Sequence, residues 1–171
     1  TEVAVELFNR RVEQMGLEAI ADEDAAKVES LVTALGGIPL AIELAAGQMG
    51  ILRLNDILEQ LEHKRGLWSD NDRTERHKTM DATLQWSWDL LSPTEQNTLA
   101  QLAIFPTSFE YSLAETTVDI RNGQDLSQVL RELQRKSLIY RRDDGRITLL
   151  EVTRHFAKHQ LIESGIFQQT R

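Results

Sequence analysis

Three groups of residues in this 171-residue sequence have types and spacings that could do chemistry. Glu151, His155 and His159 fall at i, i+4 and i+8, so a helix would carry all three on one face. The His155–His159 spacing is that of a zinc-protease helix, but Phe156 follows the first histidine where that chemistry needs a glutamate. A solvated or interfacial face is therefore expected, and no metal site. The second group lies in the stretch ALGGIPLAIELAAG, where Gly36 and Gly37 end one helix and Pro39 opens the next. At the first helical position the missing proline N–H costs nothing, which accounts for the backbone. The surface is a separate matter. A helix N-terminus exposes unpaired N–H groups and a partial positive charge, the glycines permit close approach, and Pro39 presents a flat apolar ring. Such a corner could press against the adenine of a nucleotide. The third group is basic: Arg131, Arg135 and Lys136 on a helix, then Arg141, Arg142 and Arg146 on a hairpin. A DNA reader would place them so, but so would a solvated face or a surface that docks on an acidic neighbour. Asp143 and Asp144, at the hairpin tip, oppose phosphate contact.

Other chemistries lack their residues. No G-x-x-x-x-G-K-[ST] stretch cradles phosphates, and no apolar strand ends in paired acids that would hold magnesium, so the chain alone is expected not to be an enzyme. The sequence has no cysteine, which excludes disulfides and thiolate metal sites and fits a reducing, cytoplasmic compartment. Hydrophobic residues make up 41% and charged residues 27%, with no apolar run of the roughly 20 residues that cross a bilayer, so no membrane partner is expected. The net charge of −8 argues against a surface that tracks phosphates throughout. Residues 121–146 reverse that balance with seven basic against four acidic side chains, so an anionic partner would meet the last third.

The elements that must position these residues can be read from periodicity. Ala4, Phe8, Val12 and Met15 form one stripe of a helix from about Val3 that stops at Gly16. Asp22, Glu23 and Asp24 open a second helix with Val28, Leu31, Val32 and Leu35 inward. The Pro39 helix follows, then a short one from about Asn55 to His63. Residues 65–77 are polar and poorly periodic, and read as a linker with Trp68 as its one anchor and Arg76, His77 and Thr79 near the pivot. Met80, Leu84, Trp88 and Leu91 stripe the next helix, which places Trp88 in a core and leaves Trp86 for the helical module or a missing domain. Ser92, Pro93 and Glu95 spell a capping box with proline at its favoured position. Short helices near 112–118 and 125–136 come next, then a hairpin around Asp144-Gly145, and a last helix over 151–163. The expected fold is mainly α: a four-helix-type module over 1–64, a linker over 65–77, and a winged helix-turn-helix with a small β-hairpin over 78–171. The chain opens on Thr1 inside a helical pattern, as a piece of a longer protein would.

At this point the residues resemble a known family. GGIPLAIELAAGQM resembles the GLPLA motif of the nucleotide-switch ATPases called STAND or NB-ARC proteins. AVELFNRR is similar to the segment leaving their nucleotide-binding domain, ERHKTMDATLQWSWDLLSPTEQNTLAQLAIF to the junction into their winged helix, and LLEVTRHFAKHQL to its closing helix. Together these span nearly the whole chain in the family's order, and the subgroup most similar is the bacterial one attached to transcriptional regulators. The resemblance implies the helical and winged-helix part of a larger ADP/ATP-dependent switch, with Mg and the nucleotide held mainly by a P-loop domain upstream. That domain would be the intramolecular partner, and a homo-oligomer of the longer protein is left open. By matching positions, Pro39 would touch adenine, Gly37 would allow its approach, Ile38 and Leu40 would line the pocket, and Glu43 would face the same side. Many members carry Met-His-Asp in the winged helix, the histidine sensing the ADP β-phosphate. Leu149, Leu150 and Glu151 stand there, so Leu150 replaces the sensor and is expected in the core. The alternative reading is a winged-helix DNA-binding transcriptional regulator, and a third is a pure scaffold.

Overall fold

A computed structural model describes residues 1–65, 75–120 and 122–163. The chain is mainly helical with one small hairpin, and it divides into two compact units, Thr1–Ser87 and Trp88–Arg171.

The first unit is built around a helix of small residues. Helix α1 (Glu2–Gln14) buries Phe8 and Val12, and ends where Gly16 turns the chain at φ 75°. A single 3-10 turn over Asp22–Asp24 leads into α2 (Ala25–Ala34), which buries Val28, Leu31 and Val32. Helix α3 (Pro39–Gly47) is buried almost all round, through Ala41, Ile42, Leu44, Ala45 and Ala46. Its alanines let α1 lie close along it, since helix separation is set by side-chain size at the contact. Helix α4 (Leu54–Arg65) packs on α2 through the Leu54, Ile57 and Leu61 stripe.

Helix α5 (Glu75–Asp89) changes the expected boundary. The division between units falls inside it, after Ser87, so the stretch from Glu75 belongs with the helical unit. Met80, Ala82, Leu84 and Trp86 are buried, and the Trp86 indole N–H donates to Gln60 Oε1 of α4 at 2.8 Å. Trp86 therefore faces the helical unit. Arg76, His77 and Thr79 lie in the helix rather than in a linker, and Trp68 lies outside the described residues.

The second unit follows winged-helix order. Ser92 caps α6 (Pro93–Leu102) as expected: its Oγ accepts from the Glu95 N–H at 3.2 Å, and its own N–H donates to Glu95 Oε2 at 2.9 Å. Helix α7 (Tyr111–Thr117) and α8 (Leu126–Arg135) come next, then strands β1 (Tyr140–Arg141) and β2 (Ile147–Thr148), and α9 (Glu151–Glu163) follows them. The strands pair antiparallel, Tyr140 against Thr148 and Arg141 against Ile147. Between α6 and α7 one residue adds a third edge: Phe109 exchanges both backbone hydrogen bonds with Ile147, at 2.9 and 2.8 Å. Trp88 is buried as expected, with its ring edge-on to Phe156 at 6.0 Å.

The hairpin turn is a three-residue one rather than a symmetric pair of positive-φ residues. The Gly145 N–H donates to the Arg142 carbonyl, only Gly145 of the loop has positive φ, and the Arg142 N–H then pairs with Arg146. This is the type I turn with a left-handed third residue that suits longer hairpins.

Candidate functional site

Two places gather the sequence-derived residues, one in each unit. In the first, α2 ends in a Schellman cap. The Gly36 N–H bonds to Thr33 O and the Gly37 N–H to Val32 O, each at 3.0 Å, with both glycines left-handed at φ 66° and 64°. Ile38 then takes extended backbone as N-cap, and Pro39 is the first helical residue. Against this corner lies an open cleft of about 450 Å³, walled by Val3, Ala4 and Leu7 of α1 and by Gly36, Gly37 and Pro39. No lysine or arginine lines it, so it offers apolar surface and helix N–H groups but no counter-charge for a phosphate.

Of the five positions matched to a nucleotide pocket, Gly37 and Pro39 line this cleft. Ile38 is 8% exposed and turns into the core, while Leu40 and Glu43 are half-buried outside the lining. Helical rotation of about 100° per residue gives the reason: Ile42, three residues on from Pro39, shares its side, and Leu40 and Glu43 share another.

In the second unit, α8 turns Leu126, Val129, Leu130 and Leu133 inward and leaves Gln128 and Arg131 exposed. Asp125 caps it, accepting from the Ser127 hydroxyl at 2.7 Å and the Ser127 N–H at 3.1 Å. Those bonds, the hydroxyl's foremost, hold the Asp125 carboxyl below its ordinary value, with Arg131 adding to the effect.

The six basic positions do not form one open surface. Lys136 corrects the expectation for it: at 3% exposure it is buried, its Nζ donating to Glu95 Oε2 at 2.9 Å. Arg135 pairs with Glu132 at 3.0 Å. Arg146 is pinned by three contacts, Nε to Ser108 Oγ at 3.0 Å, Nη2 to the Ser108 carbonyl at 2.7 Å and Nη1 to Glu110 at 3.4 Å. Arg142 reaches Ser108 Oγ at 3.3 Å and Asp144 at 3.4 Å. Arg131 and Arg141 are exposed and form no ion pair among the described residues.

Leu150 corrects a second expectation. It is 42% exposed, whereas its neighbour Leu149 is 3% exposed. Leu150 precedes α9 and its carbonyl accepts the Arg154 N–H at 2.9 Å, so it acts as the helix's N-cap, where the side chain points away from the packed face. Glu151 pairs with the buried Arg154 one turn on, and His159 sits 3.4 Å from Glu163. Among the described residues, no group of three acids or histidines converges as metal ligands would. Nor is any described helix long and apolar enough to cross a membrane.

Two contacts escape sequence reasoning. Gln101 of α6 is buried and pairs its amide with both backbone groups of Asp119, at 2.9 and 3.2 Å, tethering the α7–α8 connection. Ser108 anchors the wing. Neither carries a periodic or motif signal.

No protein-family model matches the chain. A protein of Mycobacterium tuberculosis named as a candidate HTH-type transcriptional regulator is 34% identical over 177 aligned residues, which cover 96% of this chain and 20% of that protein. A Mycobacterium bovis protein carrying the same description matches to the same extent. An uncharacterized protein of Mycobacterium tuberculosis is 31% identical over 174 residues, covering 96% of this chain and 44% of its own length. The chain thus spans a fifth of the first relatives and under half of the last.

Proposed function

We propose that the chain serves a longer transcriptional regulator as its winged-helix-bearing segment, with α8 and the hairpin forming the face that meets DNA. The observation that carries this reading is the order α6, Phe109, α7, α8, β1, β2, which sets a capped helix after a short one and follows it with a three-edged wing. The names of the mycobacterial regulators support it. So does the outward face of α8, where Gln128 has the amide that reads adenine and Arg131 the fork that reads guanine or grips phosphate. Lys136 has no part in this face. Fluorescence anisotropy with a random duplex at low salt tests the reading. Binding that weakens measurably with added salt supports it, and no binding at about 20 mM salt refutes it.

A second reading rests on the cleft beside Pro39. In it, the helical unit supplies the base-side wall of an ADP/ATP pocket in the longer protein, whose phosphates and Mg are held by an upstream P-loop domain. The apolar lining without a cation suits a base and not a triphosphate. Calorimetric titration of ADP into the longer protein and its Pro39→Ala variant decides it: weaker binding by the variant is expected, and equal affinity discards the reading.

A further inference from the structure

The wing is fastened to the loop between α6 and α7 at one side chain, and the electrostatics there are unbalanced. Ser108 Oγ accepts from Arg146 Nε at 3.0 Å and from Arg142 Nη1 at 3.3 Å, so two guanidinium groups converge on a neutral hydroxyl. Among the described residues that hydroxyl donates its own proton to no acceptor. The carboxylates that balance the arginines, Asp144 and Glu110, each stand 3.4 Å away with side chains 46% and 68% exposed, where water screens the attraction. Each guanidinium also has N–H donors that these contacts leave over.

A dianion placed at that oxygen would meet both cations at once, through acceptor oxygens of the kind arginine forks fit bidentately. A free anion would have to displace the hydroxyl first. A covalent one would sit where both arginines already point. The flanking residues Pro106, Thr107 and Glu110 are exposed and Ser108 is half-buried. Beyond the arginines, the backbone link here is the Phe109–Ile147 bridge, so a small lift of the wing would open the segment to another protein.

We propose that Ser108 is a phosphorylation site whose phosphoryl group is gripped by Arg142 and Arg146 and locks the wing onto the α6–α7 loop. The reaction is transfer from ATP on a Ser/Thr kinase: Ser108 Oγ forms a bond to the γ-phosphorus, the bond to the bridging oxygen breaks, the hydroxyl proton passes to the kinase's base, and ADP leaves.

The test uses the chain with phosphoserine placed at position 108, compared with the same chain carrying Arg142→Gln and Arg146→Gln. A free phosphoserine takes its second ionisation near pH 6. In the grip of two arginines, phosphorus NMR is expected to show it about one unit lower, returning to about 6 in the double variant. Amide exchange at Phe109 and Ile147 should slow several-fold on phosphorylation. An ionisation near 6 in both proteins, or faster exchange at those amides, overturns the grip. Mass spectrometry of the protein from its own cells tests occupancy: phosphate on Ser108 supports the assignment, and a bare Ser108 throughout growth and starvation overturns it.

Discussion

Single residues here act through the conformation or charge they alone can hold. Gly36 and Gly37 take φ of 66° and 64°, a region that costs other L-residues about 1–2 kcal/mol each. Gly37→Ala should lower urea-denaturation stability by about that amount even though its Cβ would meet no atom within 4 Å. Unchanged stability in that variant would mean that the cap rearranges. Glu95 is the more exacting residue, since the same Oε2 accepts from the Ser92 N–H and from buried Lys136. Removing it strands an ammonium in the core, so Glu95→Ala should cost about 3–5 kcal/mol. A Glu95→Gln/Lys136→Met pair, which strands no charge, should recover most of that loss in the same denaturation assay. Asp125 sets a pH dependence. Its folded pKa lies below the ordinary 3.8, so its capping contribution is in place above that pH and is lost as pH falls through the lowered value. Protection of the amides in the first turn of α8, taken relative to their intrinsic exchange rates at each pH, should fall on acidification, and Asp125→Asn should remove that acid dependence.

At the scale of elements, the sequence carried what is local. Periodic stripes placed the helices, Gly and Pro placed their ends, and Ser92-Pro93-Thr94-Glu95 named its capping box, because each signal depends on neighbours within one turn. The pocket corner was legible to the same extent: Gly37 and Pro39 lie at the cleft, but which of Ile38, Leu40, Ile42 and Glu43 joins them depends on the exact rotation of α3. Contacts across long separations left no such trace. Lys136 reads as the exposed end of a basic helix, and only Glu95, 41 residues earlier in the chain, explains why it is buried. Arg146 likewise reads as a wing-tip cation until Ser108, 38 residues away, is placed beside it. The wing therefore owes part of its position to side chains. Arg146→Ala should raise amide exchange at Phe109 and Ile147, and adding Ser108→Ala should raise it little further, because the Arg146 bond to Ser108 Oγ is then already gone and only the longer Arg142 contact, at 3.3 Å, is left to lose. Additive effects would assign the anchoring elsewhere.

At the scale of the whole molecule, charge decides how much DNA affinity this chain can supply. A net charge of −8 sets a repulsive background, and of the six basic residues at α8 and the hairpin, four are spent on Glu132, Glu95, Ser108 and nearby carboxylates. In the proposed contact with DNA, Arg131 and Arg141 are left on this face to neutralise phosphates, so about two counterions would be released and the slope of log affinity against log salt should be about −2. On the proposed DNA-facing reading such a segment would bind duplex weakly alone, and a regulator five times its length would need further contacts to reach specific affinity. The variants separate the contributions. Arg131→Ala and Arg141→Ala should each reduce the slope by about 1, while Lys136→Met should leave it unchanged because that charge lies inside the fold. A slope steeper than about −4, or one that moves with Lys136, would mean that α8 and the wing rearrange on DNA to release the arginines now held by Ser108 and Glu132.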